Sequence, residues 1–267
     1  MPNAVAVILG SAYRVDRPGG LPMTPVDVDT PWGEQRLFKA ETERPAYALF
    51  RHGQPHRLLP NQIEYRAQVW ALREVGVGAL LVTSSVGVMD ADLPLFEPLL
   101  LGDLMMLDNR LPDGSTCTMF DAPSPDHGHL VLNEGLFSVA LSEQVASIAH
   151  RAGAPVGAHG VVFAYAGGPR GKTAAENRMW QVLGGQFNSM TLAPEIVLAN
   201  ELEIACAGLV VGHKYSVPGR DNPESGGVTQ TLDSSREAME RIVEAFLREA
   251  HPVPFGNHLY RFDAHES

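Results

Sequence analysis

Six short apolar runs, each ending in small or polar residues, most constrain what this chain can fold into. They are AVAVILGS, PAYALFRHG, ALLVTSSVG, GDLMMLDNRL, AHGVVFAYAGGP and IACAGLVVGHKY. Continuous runs of Val, Ile, Leu and Ala at this length read as strands buried on both faces. The stretches NQIEYRAQVWALREVG, LNEGLFSVALSEQVASIAHRAG, TAAENRMWQVLGG, APEIVLANELE and SSREAMERIVEAFLREA carry helical periodicity instead. Gly76 and Gly153 stand where the first two helices should stop. Strands alternating with helices predict an α/β fold, with a mostly parallel or mixed central sheet surrounded by helices. No repeat, low-complexity tract or linker divides the 267 residues, so a single domain over 1–267 is expected. The polar stretch NRLPDGSTCTMFDAPSPDHGHL is expected to be a long loop, a class that often serves as a lid.

The chain has 31 acidic and 20 basic residues, a net charge of −11. That balance argues against nucleic acid or an anionic membrane as partner and points to a small molecule. No run approaches the roughly 18 apolar residues of a membrane helix. The opening MPNAVAVILGSAY lacks the basic and long apolar regions of a secretory signal, so a cytoplasmic location is expected. Cys117 and Cys206 lie far apart and in no metal-ligand spacing. They are expected to be reduced, and no metal is expected.

Against this acidic background, ALFRHGQPHRLLP gathers Arg51, His52, His56 and Arg57 directly behind an apolar run. In α/β sheets, ligands sit beyond the carboxyl ends of the strands. The other strand ends deliver Gly10 and Ser11; Thr83, Ser84 and Ser85; Gly168 to Thr173; and Gly212, His213 and Lys214. The segment NSMT adds Ser189, Met190 and Thr191 before a Pro-Glu pair that opens a helix. Arginine presents a planar fork of donors that matches a tetrahedral oxyanion, and hydroxyls add donors without charge. No one of these pieces is specific. Their recurrence at several strand ends points to an anion pocket.

The stretches VILGS, DTPWGE, LFRHGQPHRLLPNQIEYRAQVWALREVGV, LLVTSSVGVMD, GGPRGKTAAENRMWQVLGGQFNSMTLAPEIVLANE and GLVVGHKY together resemble the trimeric purine nucleoside phosphorylases, in particular their methylthioadenosine phosphorylase branch. The resemblance runs from about residue 5 to 245. It implies a central mixed sheet, partly barrel-like, surrounded by helices. It implies a pentosyltransferase of purine salvage that uses inorganic phosphate as co-substrate, without a cofactor, to cleave the N-glycosidic bond of a purine or 5′-methylthio nucleoside. It implies phosphate binding by Ser11, Arg51, His52, Ser84, the Ser85 amide and Thr191, with Met190 at the ribose and His56 at the pocket edge. It also implies a homotrimer in which loop 112–129 completes a neighbour's pocket.

Departures from the family pattern cluster on the base side. The position of an aromatic residue that packs on the purine is Gly171, and that of the Glu that reads the base edge is Lys172. His213 replaces Asn or Asp, and Tyr215 replaces a second Asp of the methylthioadenosine branch. A carboxylate only accepts hydrogen bonds and an ammonium only donates them. The site should then favour a base that presents acceptors or leaves as an anion over both inosine and adenosine. His213 is the group expected to protonate the leaving base, beside Arg51 and His52 on the phosphate. Val228 is expected near the 5′ substituent. The same changes fit a second reading, a non-catalytic nucleoside- or phosphate-binding relative, or a nucleoside hydrolase.

Overall fold

The computed structural model describes residues 2–10, 13, 20–125, 127–217, 222 and 225–261. Ser11 lies outside the described residues, and so does the side chain of Val228, although its backbone belongs to a helix. In chain order the first strands are β1 (Ala4–Leu9), β2 (Met23–Val28), β3 (Gln35–Ala40) and β4 (Ala46–Phe50). Helix α1 (Tyr65–Glu74) leads to β5 (Val77–Val88), β6 (Pro98–Met105) and β7 (Gly128–Val131). Then come α2 (Val139–Arg151), β8 (Ala158–Tyr165), α3 (Ala174–Val182), β9 (Phe187–Ser189) and α4 (Ala193–Glu201). The chain ends in β10 (Ala205–Tyr215), α5 (Ser225–Glu249) and β11 (His258–Arg261).

Strand β1 explains the architecture. Every residue of AVAVIL is buried. Its side chains alternate between two cores, as the period of a strand requires. Ala4, Ala6 and Ile8 pack with residues of α1 and α4, whereas Val5, Val7 and Leu9 pack with residues of α2 and α5. Helices therefore cover both faces of the sheet. Strand β1 pairs in parallel with β4 and β5, and β10 pairs in parallel with β5. The carboxyl ends of β1, β4, β5 and β10 thus emerge at one edge.

The nine-stranded sheet runs β10-β6-β8-β9-β5-β1-β4-β3-β2, with β10 also paired to β5. That extra pairing closes β5, β10, β6, β8 and β9 into a barrel, and β1 to β4 extend from it as an open wing. Closure bends the β6–β8 pair sharply. The register shifts around Gly102 and Gly160, and Gly160 has φ +71°, a conformation glycine adopts without steric cost.

The structure corrects several boundaries. The fourth strand begins at Pro98 and ends at Met105, so its first residues precede the GDLMMLDNRL run. Helix α2 starts only at Val139, where Ser138 accepts a hydrogen bond from the Leu141 amide as its cap. Helix α5 starts at Ser225, well before the periodic run. Cys117 and Cys206 are buried and unpaired with each other. No helix among the described residues is long and apolar enough to cross a membrane.

The expected lid also changes place. Arg66 of α1 donates to the Thr116 and Thr118 carbonyls, and Glu201 accepts from the Thr118 hydroxyl and the Met119 amide. The loop is clamped at the C-terminal end of α4.

The crowding at Gly102 is a test of barrel closure. A Cβ there would collide with the Gly160 backbone, whose carbonyl carbon would lie 2.8 Å away. Gly102→Ala is expected to destabilise the protein by about 1–3 kcal/mol, measured from urea denaturation midpoints.

Candidate active site

A cleft of about 600 Å³ opens at the shared carboxyl edge. It is lined by Arg51, His52, His56, Ser84, Ser85, Gly171, Lys172, Met190, Thr191, His213 and Tyr215. All the expected site residues that are described therefore converge on one place, although they come from five separate stretches of the chain. Thr83 does not line it. Its hydroxyl donates to the Ile8 carbonyl and accepts from the Gly10 amide, tying β1 to β5.

Arg51 is fully buried. A lone buried guanidinium is costly unless paired and hydrogen-bonded. Its Nε donates to the Glu195 carboxylate, and its Nη1 donates to the Thr83 carbonyl at 3.0 Å. Gln68 of α1 donates to the Arg51 carbonyl at 2.8 Å, which holds the backbone. Gly10 makes room for the guanidinium, since a Cβ there would lie 3.2 Å from Nη1. One guanidinium nitrogen is left: Nη2 is buried and has no partner. Glu195 went unrecognised as a site residue in the sequence. Its signal was a carboxylate in the first turn of a helix whose next four residues, IVLA, are apolar.

Around Arg51 stand uncharged donors. The Ser84 hydroxyl lies 3.2 Å from that of Ser189. Thr191 is held at the start of α4 by Leu192, which is buried and has φ +80°, a strained conformation for a residue with a side chain. His52 places Nδ1 2.8 Å from the Leu58 carbonyl. A carbonyl can only accept, so Nδ1 carries the proton and Nε2 keeps its lone pair. Burial, reinforced by Arg51, pushes the His52 pKa down to about 4, so the ring is neutral at neutral pH. His56 stacks on it with ring centres 4.4 Å apart.

The other end of the cleft is different. Lys172 is half-buried and lines the cleft. Burial, then Lys214, lowers its pKa from 10.5 to about 8. The nearby carboxylate is committed elsewhere. Glu176 accepts two hydrogen bonds from Arg170 and one from the Thr173 amide, which caps α3 and holds its pKa at about 2. Burial, then Lys214 and Lys172, lowers the His213 pKa, and its Nδ1 is buried without a partner. A side chain at Gly171 would meet nothing within 4 Å, so that position leaves open space. The Tyr215 hydroxyl donates to the Leu93 carbonyl.

The family model described as "Phosphorylase superfamily" matches residues 4–248. A "Probable S-methyl-5'-thioinosine phosphorylase" of Methanopyrus kandleri is 34% identical over 242 residues, spanning 89% of this chain and 86% of its own. A "6-oxopurine nucleoside phosphorylase" of Pyrococcus furiosus is 33% identical, spanning 82% and 83%. A crystal structure of a methylthioadenosine phosphorylase from an antarctic soil metagenomic library superposes with a TM-score of 0.75 at 22% identity, over 91% of this chain and 85% of that one.

The Arg51–Glu195 pair can be tested for its structural weight. Glu195→Ala strands a buried charge and is expected to cost about 3–5 kcal/mol. The double substitution Arg51→Met with Glu195→Leu should recover most of that loss in the same denaturation measurement.

Proposed function

The chain belongs to the phosphorylase superfamily and is a nucleoside phosphorylase, a pentosyltransferase; from that premise we propose that it cleaves 6-oxopurine nucleosides with inorganic phosphate. The observation that carries the assignment of the anion site is the Arg51 Nη2, buried at the cleft and left without a partner. Phosphate accepts from Nη2, from the Ser84 and Thr191 hydroxyls and from the Ser85 amide. Ser11 belongs to the same set on the resemblance alone. The His52 Nε2, an acceptor in a neutral ring, accepts a hydrogen bond from the single hydroxyl of hydrogenphosphate. Neutral hydrogen-bonding groups around one guanidinium hold the dianion without trapping the product.

Phosphate oxygen bonds to C1′ as the C1′–N9 bond breaks, and the sugar passes through an oxocarbenium-like state. A dianion on one face stabilises that charge directly. Met190 packs beside the sugar, and His56 closes the phosphate end. The glycosidic electron pair moves into the purine, and His213 is placed to hand a proton to the ring nitrogen. Lys172 donates to the 6-oxo group. An adenine amine at that position would face an ammonium, donor against donor. The Methanopyrus and Pyrococcus relatives carry thioinosine and 6-oxopurine in their names, which supports the same choice of base, whereas the structural relative at 22% identity is named for methylthioadenosine. On the resemblance alone, Val228 stands near a 5′ substituent of methylthio type.

The proposed assembly is a cytoplasmic homotrimer. Loop 112–129 is held at the C-terminal end of α4, and none of its described residues lines the cleft, which supports the reading that it serves a neighbour's. Light scattering at assay concentration is expected to give a trimer; a stable, active monomer would remove this part of the proposal.

The phosphate site has its own test. Arg51→Lys keeps the charge but loses the fork, and is expected to lower kcat/KM for phosphate by about 2–3 kcal/mol. Thr191→Val should lose less, about 1 kcal/mol. Steady-state kinetics with varied phosphate decide the matter, and an unchanged Arg51→Lys enzyme would count against the site.

The pH dependence separates activity from stability. The charged form of Lys172 is the donor, so kcat/KM for the nucleoside should fall as pH rises through about 8. Folding stability moves the other way. The folded chain holds this proton less tightly than the unfolded one, so between about 8 and 10.5 the group adds stability as pH rises. A pH–rate profile beside thermal unfolding at the same pH values should show the two diverging.

A further inference from the structure

Among the described residues that line the cleft there is no Asp or Glu, while Lys172 and Lys214 both do. Neither lysine makes an ion pair among the described residues. Among the described residues, the titratable and charged groups near them are His213 and Lys214 on β10, and Glu176 with Arg170 at the start of α3. Glu176 is occupied by Arg170 and the Thr173 amide, so it does not neutralise Lys172.

Two side-chain acceptors on the lining are engaged. The Asn177 side-chain oxygen accepts from Asn188, and that of Asn222 accepts from the Tyr215 amide at 2.6 Å. His213 donates or accepts according to its tautomer and does not discriminate. The two lysines do, because an ammonium has no lone pair.

Resting on the oxopurine phosphorylase reading above, we propose that this cleft is built for a dioxopurine nucleoside of the xanthosine type, bound as its monoanion. Such a base presents two carbonyl oxygens and one delocalised negative charge to Lys172 and Lys214. Inosine offers one oxygen and no charge. Guanosine adds an exocyclic amine, which is worse matched, and adenosine replaces the 6-oxo acceptor by a donor. A buried donor without an acceptor is the mismatch that enzymes discriminate against most strongly. The open space at Gly171 accommodates the second oxo group without a clash.

The reaction balances. A phosphate oxygen bonds to C1′, the C1′–N9 bond breaks, and its electron pair enters the purine. The proton lost by hydrogenphosphate is replaced by one delivered to the imidazole ring through His213 or solvent. The base leaves with the one negative charge it brought, and Lys172 and Lys214 hold that charge throughout. The lowered pKa of Lys172 agrees with a group awaiting an anion, since a bound anion would restore its proton.

The test is kcat/KM, at saturating inorganic phosphate, for xanthosine, inosine, guanosine and adenosine, with Lys172→Gln and Lys172→Arg beside the native protein. Xanthosine is expected to exceed inosine by about tenfold or more, with guanosine and adenosine lower still. Lys172→Gln should reduce the xanthosine-to-inosine ratio by about tenfold or more, and Lys172→Arg should restore most of it. Added salt should weaken xanthosine more than inosine. Inosine cleaved as well as xanthosine, or a ratio indifferent to Lys172→Gln, overturns the proposal and leaves the phosphorylase reading standing. If no nucleoside is cleaved, that reading fails, and calorimetry with free xanthine and free hypoxanthine still decides recognition. Tighter xanthine binding that is lost in Lys172→Gln upholds the anionic base site, and equal binding of the two bases overturns it.

Discussion

The buried ion pair between Arg51 and Glu195 joins residues 144 positions apart and organises the site. Both side chains are almost completely shielded from water. Removing two charges from water is expensive, and the interior repays it only where geometry and further hydrogen bonds are complete. Here completion is deliberate but partial. Glu195, the Thr83 carbonyl and the room beside Gly10 take care of Nε and Nη1, and leave Nη2 for whatever enters the cleft. The same pair locks the end of β4 to the first turn of α4, so it also sets where Thr191 stands. A site built on this contact arrives with its strongest donor already oriented, and the ligand does not have to order it.

Charge is arranged in opposite senses at two scales. The whole chain is acidic at −11, yet the cleft has three cations and no carboxylate among its described lining residues. Glu195 and Glu176, two described acids beside it, are committed to Arg51 and to Arg170. The arrangement also divides the labour. The anion end, around Arg51 and Thr191, depends on buried contacts that tolerate little change. The base end, around Gly171, Lys172 and His213, lies on strand ends and loops, where substitution alters chemistry without disturbing the core.

Much of the fold could be read directly. AVAVIL and ALLVTSSVG are apolar because helices cover both of their faces, and the burial of each matches. The hairpin of β2 and β3 escaped notice because it is a partly exposed edge. MTPVDV contains a proline and an aspartate, and Asp27 pairs with Arg36 on the surface. Strand β9 is three residues long and pairs with strands far away in sequence, so no local period could reveal it. The long polar loop was legible as a loop, but its clamp onto Arg66 and Glu201 was not.

The sequence by itself determined which chemistry would gather at the strand ends: a guanidinium, hydroxyls, and on the base side an ammonium and an imidazole where carboxylate and amide are usual. Those identities are carried residue by residue and survive any uncertainty about pairing. The tertiary structure decided the rest: that β10 pairs back onto β5 to close the barrel, that Glu195 is the partner of Arg51, and that Lys172 lines the cleft. The physical reason is the same in each case. Local pattern reports how much of a segment is buried, whereas the choice of partner between distant segments is settled only when all of them compete for the same buried surface and hydrogen-bonding groups.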